Sequence, residues 1–236
     1  MIGAFSECVG EASRPYSAGA ARLRVAGAKV RTIVVGGRSG TGPNARQIAQ
    51  ALEASPIDGE RKVILIGYSK GGLDILRFLV DFGENALREM SARGWRSHIQ
   101  PDAGSRDAVA GGEPVALRRA VLFARRVHTT RGHVARALVP LWKHLGGTEI
   151  RNDGQVVATD AVIPGSTLLG YPNADHWGVA QTIETEHPVL AARQDPALFP
   201  LEQLFDAMVA FIADGLAQNA RSGPGTVPAV NREGER

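Results

Sequence analysis

The run Val63-Ile64-Leu65-Ile66 leads directly into Gly67-Tyr68-Ser69-Lys70-Gly71, and from Lys70 to Val80 the pattern becomes helical, with Leu73, Leu76, Phe78 and Leu79 apolar. Four apolar residues stopped by a glycine read as a short buried strand. A strand that becomes a helix across so few residues must turn sharply. The turn strains the backbone and crowds the side chains on either side of its apex. Glycines two before and two after the central serine relieve that crowding, and the serine is left exposed at the end of a sheet. Few folds accommodate such a turn, because it requires a strand flanked by helices.

The surrounding chain predicts the same architecture. Residues 16–27 read as an amphipathic helix ending at Gly27, with Leu23 on its apolar side. Lys29 to Val35 has the alternation of a strand, and Gly36-Gly37 ends it. Pro43-Asn44 opens a helix, since proline is tolerated in a first turn where its missing N–H has no partner. Ile48 and Leu52 share a face of that helix, Ser55-Pro56 closes it, and Asp58-Gly59 marks a turn. The order β-α-β-α over 29–82 implies an α/β fold, with a mainly parallel sheet covered by helices.

The middle of the chain is less regular. Residues 101–114 are rich in Asp, Gly, Ser and Pro and read as a loop, 115–127 as either strand or helix, and 131–145 as helix. Val156-Val157 and Thr167-Leu168-Leu169-Gly170 are strand-like. Leu201 to Leu216 is an amphipathic helix with Leu204, Met208, Phe211 and Ile212 on one side. A single domain over 1–218 is expected, with a possible cap or lid segment around 101–148. A disordered tail is expected over 219–236, where the composition turns to Gly, Pro and charge.

A serine hydroxyl attacks only with a base in hydrogen-bond reach, and that base needs an orienting carboxylate. Ser69 is therefore the candidate nucleophile. His176, in Asn173-Ala174-Asp175-His176-Trp177-Gly178, is the candidate base because it falls in a late loop. His98, His128, His133, His144 and His187 lie in segments that suit surface residues. Asp153, in Asn152-Asp153-Gly154, is the candidate acid, and Asp160 is the second choice. Asp175 is too close in sequence to reach the histidine ring, and Asp102 and Asp107 lie on an irregular loop. A tetrahedral oxyanion needs two backbone donors. Lys70, which follows the serine, is one candidate; Gly37 or Arg38, in Gly36-Gly37-Arg38-Ser39-Gly40, is the other. That loop has neither the Gly-Lys-Ser/Thr ending of a phosphate loop nor the third glycine of a dinucleotide fingerprint.

Composition bounds the remaining classes. With 236 residues and 44% hydrophobic content, the chain can bury a substantial core. Its net charge of +3 is too small to imply a nucleic-acid partner. Residues 114–148 hold arginines and Lys143 but no Asp or Glu. They read first as a solvated basic face, next as a lid, and last as a nucleic-acid surface. The lone Cys8 permits no internal disulfide, and no His/Cys cluster has metal-ligand spacing. No secretory signal or membrane span is apparent, so a soluble, cytoplasmic protein without cofactor or metal is expected.

The serine turn and the chain order Ser69, Asp153, His176 resemble the α/β-hydrolase superfamily on its esterase and lipase side. Asn152-Asp153-Gly154 and Asp175-His176 resemble the acid and histidine motifs of bacterial triacylglycerol lipases. Gly37-Arg38-Ser39 with Asn44-Ala45 resembles poorly characterised bacterial members. The resemblance covers roughly 29–82 and 138–181. Gly36-Gly37 stands where the superfamily usually has His-Gly, and 83–137 lacks a clear strand, so a reduced or irregular middle is expected. The resemblance implies a serine hydrolase acting on small ester substrates, acyl lipids among them. A thioesterase, an acyltransferase and an inactive binding protein on the same fold are the alternatives.

Overall fold

The computed structural model describes residues 14–54, 63–92, 131–161, 172–180 and 199–221. Helix α1 spans Ser17–Val25 and is entered through Tyr16 in a left-handed conformation, φ 61°. The Tyr16 N–H donates to the Ala180 carbonyl at 2.7 Å, tying the start of the helix to the loop after His176. Helix α2 spans Thr41–Glu53, so Pro43 sits in its first turn, and Gly40 caps it.

Helix α3 spans Lys70–Ala92, extending well past the predicted end at Val80. Its buried stripe is Asp74, Ile75 and Phe78, whereas Leu73 is 58% exposed. The apolar residues predicted for this helix therefore do not all lie on its inner face. A 3₁₀ turn at Arg131–His133 and helix α4, Val139–His144, replace the single helix expected over 131–145. Pro140 accounts for the difference: it fits the first turn of α4, but inside a longer helix its ring would meet the carbonyl four residues back. A second 3₁₀ turn occupies Ala158–Ala161.

Helix α5 spans Leu201–Arg221, so helix continues into the stretch expected to begin a tail. Among its described side chains Phe205 and Met208 are buried and Leu204 packs against the same cluster, so Met208 and Leu204 of the predicted face turn inward while Phe211 is 42% exposed. Arg22 of α1 pairs with Glu202 and, at 2.7 Å, with Asp206, linking α1 to α5.

The stretches 28–36 and 63–67 are non-helical, and among the described residues no strand ladder joins them. Their packing nevertheless has the two-residue period of extended chain. Ile33, Val35 and Leu65 pack with Ala45, Ile48, Ile75 and Phe78, the apolar cluster of α2 and α3. Ile66 points the other way, into a cluster with Tyr16, Tyr68, Val179, Phe205 and Met208. Helices thus cover opposite sides of the stretch leading to Ser69, α2 and α3 on one side, α1 and α5 on the other. Ile48 is fully buried in this arrangement. Burying a side chain of that size contributes about 1.5–3 kcal/mol.

Near Asp153, Asn152 and Val157 form an isolated antiparallel bridge where a strand-like piece was expected. The turn at 55–59, the stretches 101–114, 115–127 and 167–170, and the chain beyond 221 lie outside the described residues. So do Cys8, His98, Asp102, Asp107, His128 and His187.

Candidate active site

Ser69 sits at the apex of the turn with φ 53°, a left-handed conformation that costs a non-glycine residue about 1–2 kcal/mol. Backbone bonds hold the turn closed: Gly71 N–H donates to the Tyr68 carbonyl at 2.8 Å and Gly72 N–H to the Ser69 carbonyl at 3.0 Å. The turn lifts the serine clear of the core, and Ser69 remains half-buried.

The Ser69 Oγ lies 2.9 Å from His176 Nε2, and His176 Nδ1 lies 2.7 Å from Asp153 Oδ2. Asp153 and His176 are 4% and 5% exposed, so their pairing is shielded from water. An ionised carboxylate only accepts hydrogen bonds. His176 must therefore carry its proton on Nδ1, which leaves Nε2 free to accept from the serine hydroxyl.

Asp153 is itself held in place. Its Oδ1 accepts from Gln155 N at 2.9 Å and Val156 N at 2.7 Å, and its carbonyl accepts from His176 N at 2.8 Å. Asn152 closes the turn by accepting from Gly154 N at 2.9 Å and donating to the Ile150 carbonyl at 2.9 Å. Gly154 follows at φ 88°, where a side chain would be strained.

Burial alone would raise the Asp153 carboxyl, but the His176 ring and the two backbone N–H donors outweigh it and hold the group below its ordinary value. A carboxyl depressed in the folded state stabilises the fold fully above its unfolded value, near pH 4, and loses that contribution as pH falls through the folded value. The gap in unfolding free energy between wild type and Asp153→Asn is therefore expected to narrow as pH drops below about 4. Urea unfolding at pH 5 and at pH 3 measures it, and an unchanged gap contradicts the assignment.

The histidine loop has two further supports that the sequence did not reveal. The Tyr68 hydroxyl donates to the His176 carbonyl, and the two rings tilt together at 5.1 Å between centroids. Asp175 is 1% exposed and accepts from three backbone N–H groups, Ala135 at 2.6 Å, Trp177 at 3.0 Å and Gly178 at 2.8 Å. It thus anchors the segment before α4 to the histidine loop. Asp160 is exposed and accepts from the Thr159 hydroxyl, and the carboxylate hydrogen-bonded to the His176 ring is that of Asp153.

Lys70 begins α3, so its backbone N–H has no intrahelical acceptor. Gly37 is buried and Arg38 exposed, and neither N–H meets a backbone carbonyl among the described residues. In the described part of the basic segment, Arg131, Arg136, Lys143 and His144 face solvent while Val134, Ala135, Leu138 and Trp142 form a small core. Among the described residues no group of His, Cys, Asp and Glu gathers as metal ligands, and no helix is long and apolar enough to cross a membrane.

No family model matches the chain, and no curated protein matches it. Among solved structures, a metagenomic carboxyl esterase is similar with a TM-score of 0.71 and 24% identity, over 90% of this chain and 74% of that one. The likeness supports an α/β-hydrolase-like fold for this chain.

Proposed function

We propose that the chain is a serine hydrolase that cleaves carboxylic esters through Ser69, His176 and Asp153. The observation that carries this reading is the unbroken relay from Ser69 Oγ to His176 to Asp153, with spacings of 2.9 and 2.7 Å. The first is within reach for proton transfer from the hydroxyl to the ring, and the second is a hydrogen bond that orients the ring. A binding protein that had lost catalysis would have no need of such spacing. The structural neighbour, a carboxyl esterase, favours the same substrate class.

In this reading Ser69 Oγ forms a bond to the ester carbonyl carbon as its proton passes to His176 Nε2. The carbonyl π electrons move onto oxygen, where the backbone N–H of Lys70 and one from Gly37 or Arg38 receive them. Collapse breaks the bond to the alkoxy oxygen, which leaves as an alcohol with the proton from Nε2. Water, deprotonated by His176, then attacks the acyl-enzyme, and the acid departs as Ser69 recovers its proton. Asp153 holds the ring and stabilises its cation throughout. The proposal includes a mainly parallel sheet beneath the turn and small ester substrates, acyl lipids among them. Thioesterase and acyltransferase chemistry differ only in leaving group or acceptor, and turnover of matched oxygen esters, thioesters and alcohol acceptors separates them.

A fluorophosphonate reagent tests the reading directly. Folded wild-type protein is expected to take up one equivalent, with the added mass on the peptide containing Ser69, and Ser69→Ala none. A folded wild type that takes no label ends the proposal.

A further inference from the structure

A buried polar chain lies between α2 and α3, and the proton relay makes no use of it. Asn44 is 0% exposed and Asp74 1%. Asn44 Nδ2 donates to the Gly36 carbonyl at 2.9 Å and to Asp74 Oδ2 at 2.8 Å. Lys70 Nζ donates to the two Asp74 carboxylate oxygens at 2.9 and 3.0 Å. Asn44 Oδ1 is buried without a hydrogen-bond partner among the described residues. Asn44 and Asp74 lie on the two helices that carry the apolar cluster of Ala45, Ile48, Ile75 and Phe78, and well-packed aliphatic side chains in place of a buried ion pair are often neutral or stabilising. Burying an amide and a carboxylate there carries a desolvation penalty, and a buried ion pair is poor evidence of added stability. Packing does not explain the chain.

Its endpoints offer another explanation. One end is the Gly36 carbonyl, and the other is the residue that follows Ser69. The Gly36 C=O and the Gly37 N–H belong to one planar trans peptide and point in opposite directions. Asn44 at 2.9 Å and the Ser39 N–H at 3.1 Å both grip that carbonyl from its own side, so the peptide plane cannot rotate freely. The Gly37 N–H is thereby fixed facing away from α2. Lys70, tethered to Asp74 one turn along, fixes the start of α3 to the same chain.

We infer that Asn44, acting with Asp74 and the Lys70 side chain, is a positioning residue: it aims the Gly37 N–H and sets its span from the Lys70 N–H. Gly37, rather than Arg38, is then the second oxyanion donor. This inference rests on the ester-hydrolase reading above. Preorganised donors act mainly on the transition state, so an error in aim lowers kcat more than it changes substrate binding.

The test is Asn44→Leu, close in volume and without the donor. Removing a whole oxyanion donor costs about 10²–10³ in kcat; misaiming one is expected to cost about 10–100-fold, with KM changed by less than about threefold. A trifluoromethyl ketone adds to the serine as a tetrahedral oxyanion, and its affinity is expected to fall in parallel with kcat. Fluorophosphonate uptake should slow but still reach one equivalent. Asn44→Ala, which adds no bulk, carries the same test if the leucine variant does not fold. A folded variant with unchanged kcat and ketone affinity, or one whose whole loss lies in KM, overturns the inference and leaves the ester-hydrolase reading standing. Failure of the wild type to label overturns both.

Discussion

Ser69→Ala is expected to lower kcat by roughly 10⁶ and Asp153→Asn by roughly 10⁴, with the double variant no slower than Ser69→Ala alone. The loss does not add because the three side chains act on a single proton. Asparagine at 153 is a sharp test here because its orientation is predetermined. Two backbone N–H groups, from Gln155 and Val156, meet Asp153 Oδ1 at 2.9 and 2.7 Å. They would hold the amide oxygen of the variant and turn its NH₂ toward His176. The ring would then accept at Nδ1 and carry its proton on Nε2, facing Ser69 with nothing to take the hydroxyl proton. The geometry survives, but the tautomer is wrong. Single-turnover acylation by an activated ester measures this, and an Asp153→Asn rate within tenfold of wild type would remove Asp153 from the proposed mechanism.

How much of this was legible in the sequence depended on whether a residue announces itself locally. Ser69 did, because glycines at 67 and 71 flank it between an apolar run and a helical pattern. Asp153 did in part, because Asn-Asp-Gly readily forms a turn and stands just before the strand-like Val156-Val157, between Ser69 and His176 in the chain. Their convergence with His176 could not be read, since chain order carries no distances. The supports were least legible. Tyr68 occupies a variable position of the turn, and only the packing of α1 and α5 beneath it makes its hydroxyl a contact of the histidine loop. Asn44 looked like part of a helix start, although it is buried deeper than most of the core. The spacing of Lys70 and Asp74 was a usable signal, because residues four apart on a helix meet. In α3 and α5 the pattern marks Phe78 and Met208, which are buried, together with Leu73 and Phe211, but does not single out Ile75 or Phe205. Leu73 and Phe211 are exposed while Ile75 and Phe205 are buried, because packing partners from elsewhere in the chain decide the facing. Pro140 is the one local signal against a continuous helix over 131–145, because proline fits a first turn and breaks an interior one.

The turn itself makes the second large prediction. A Cβ at Gly67 would stand 2.7 Å from the carbonyl carbon and oxygen of Gly71 and 2.7 Å from the nitrogen of Gly72. These are backbone atoms of the first turn of α3, so no side-chain tip can swing aside to relieve the contact. The turn cannot loosen without losing the bonds from Gly71 and Gly72 to Tyr68 and Ser69, which keep Ser69 at its left-handed φ of 53°. Gly67→Ala must therefore move α3 or open the turn, and either shifts Oγ away from His176 Nε2. The expected cost is about 3 kcal/mol or more in unfolding free energy. In any folded fraction, kcat is expected to fall about 10²-fold, the usual consequence of an ångström-scale displacement of a reacting atom. Gly72→Ala is the matched control. A Cβ there comes no closer than 4.0 Å to the Gly67 oxygen, and the residue is already helical. Alanine should stabilise that position by about 0.5–1 kcal/mol. Chemical denaturation of both variants decides the matter. If Gly67→Ala is as stable as Gly72→Ala, the close approach at the turn is not what holds Ser69 in place.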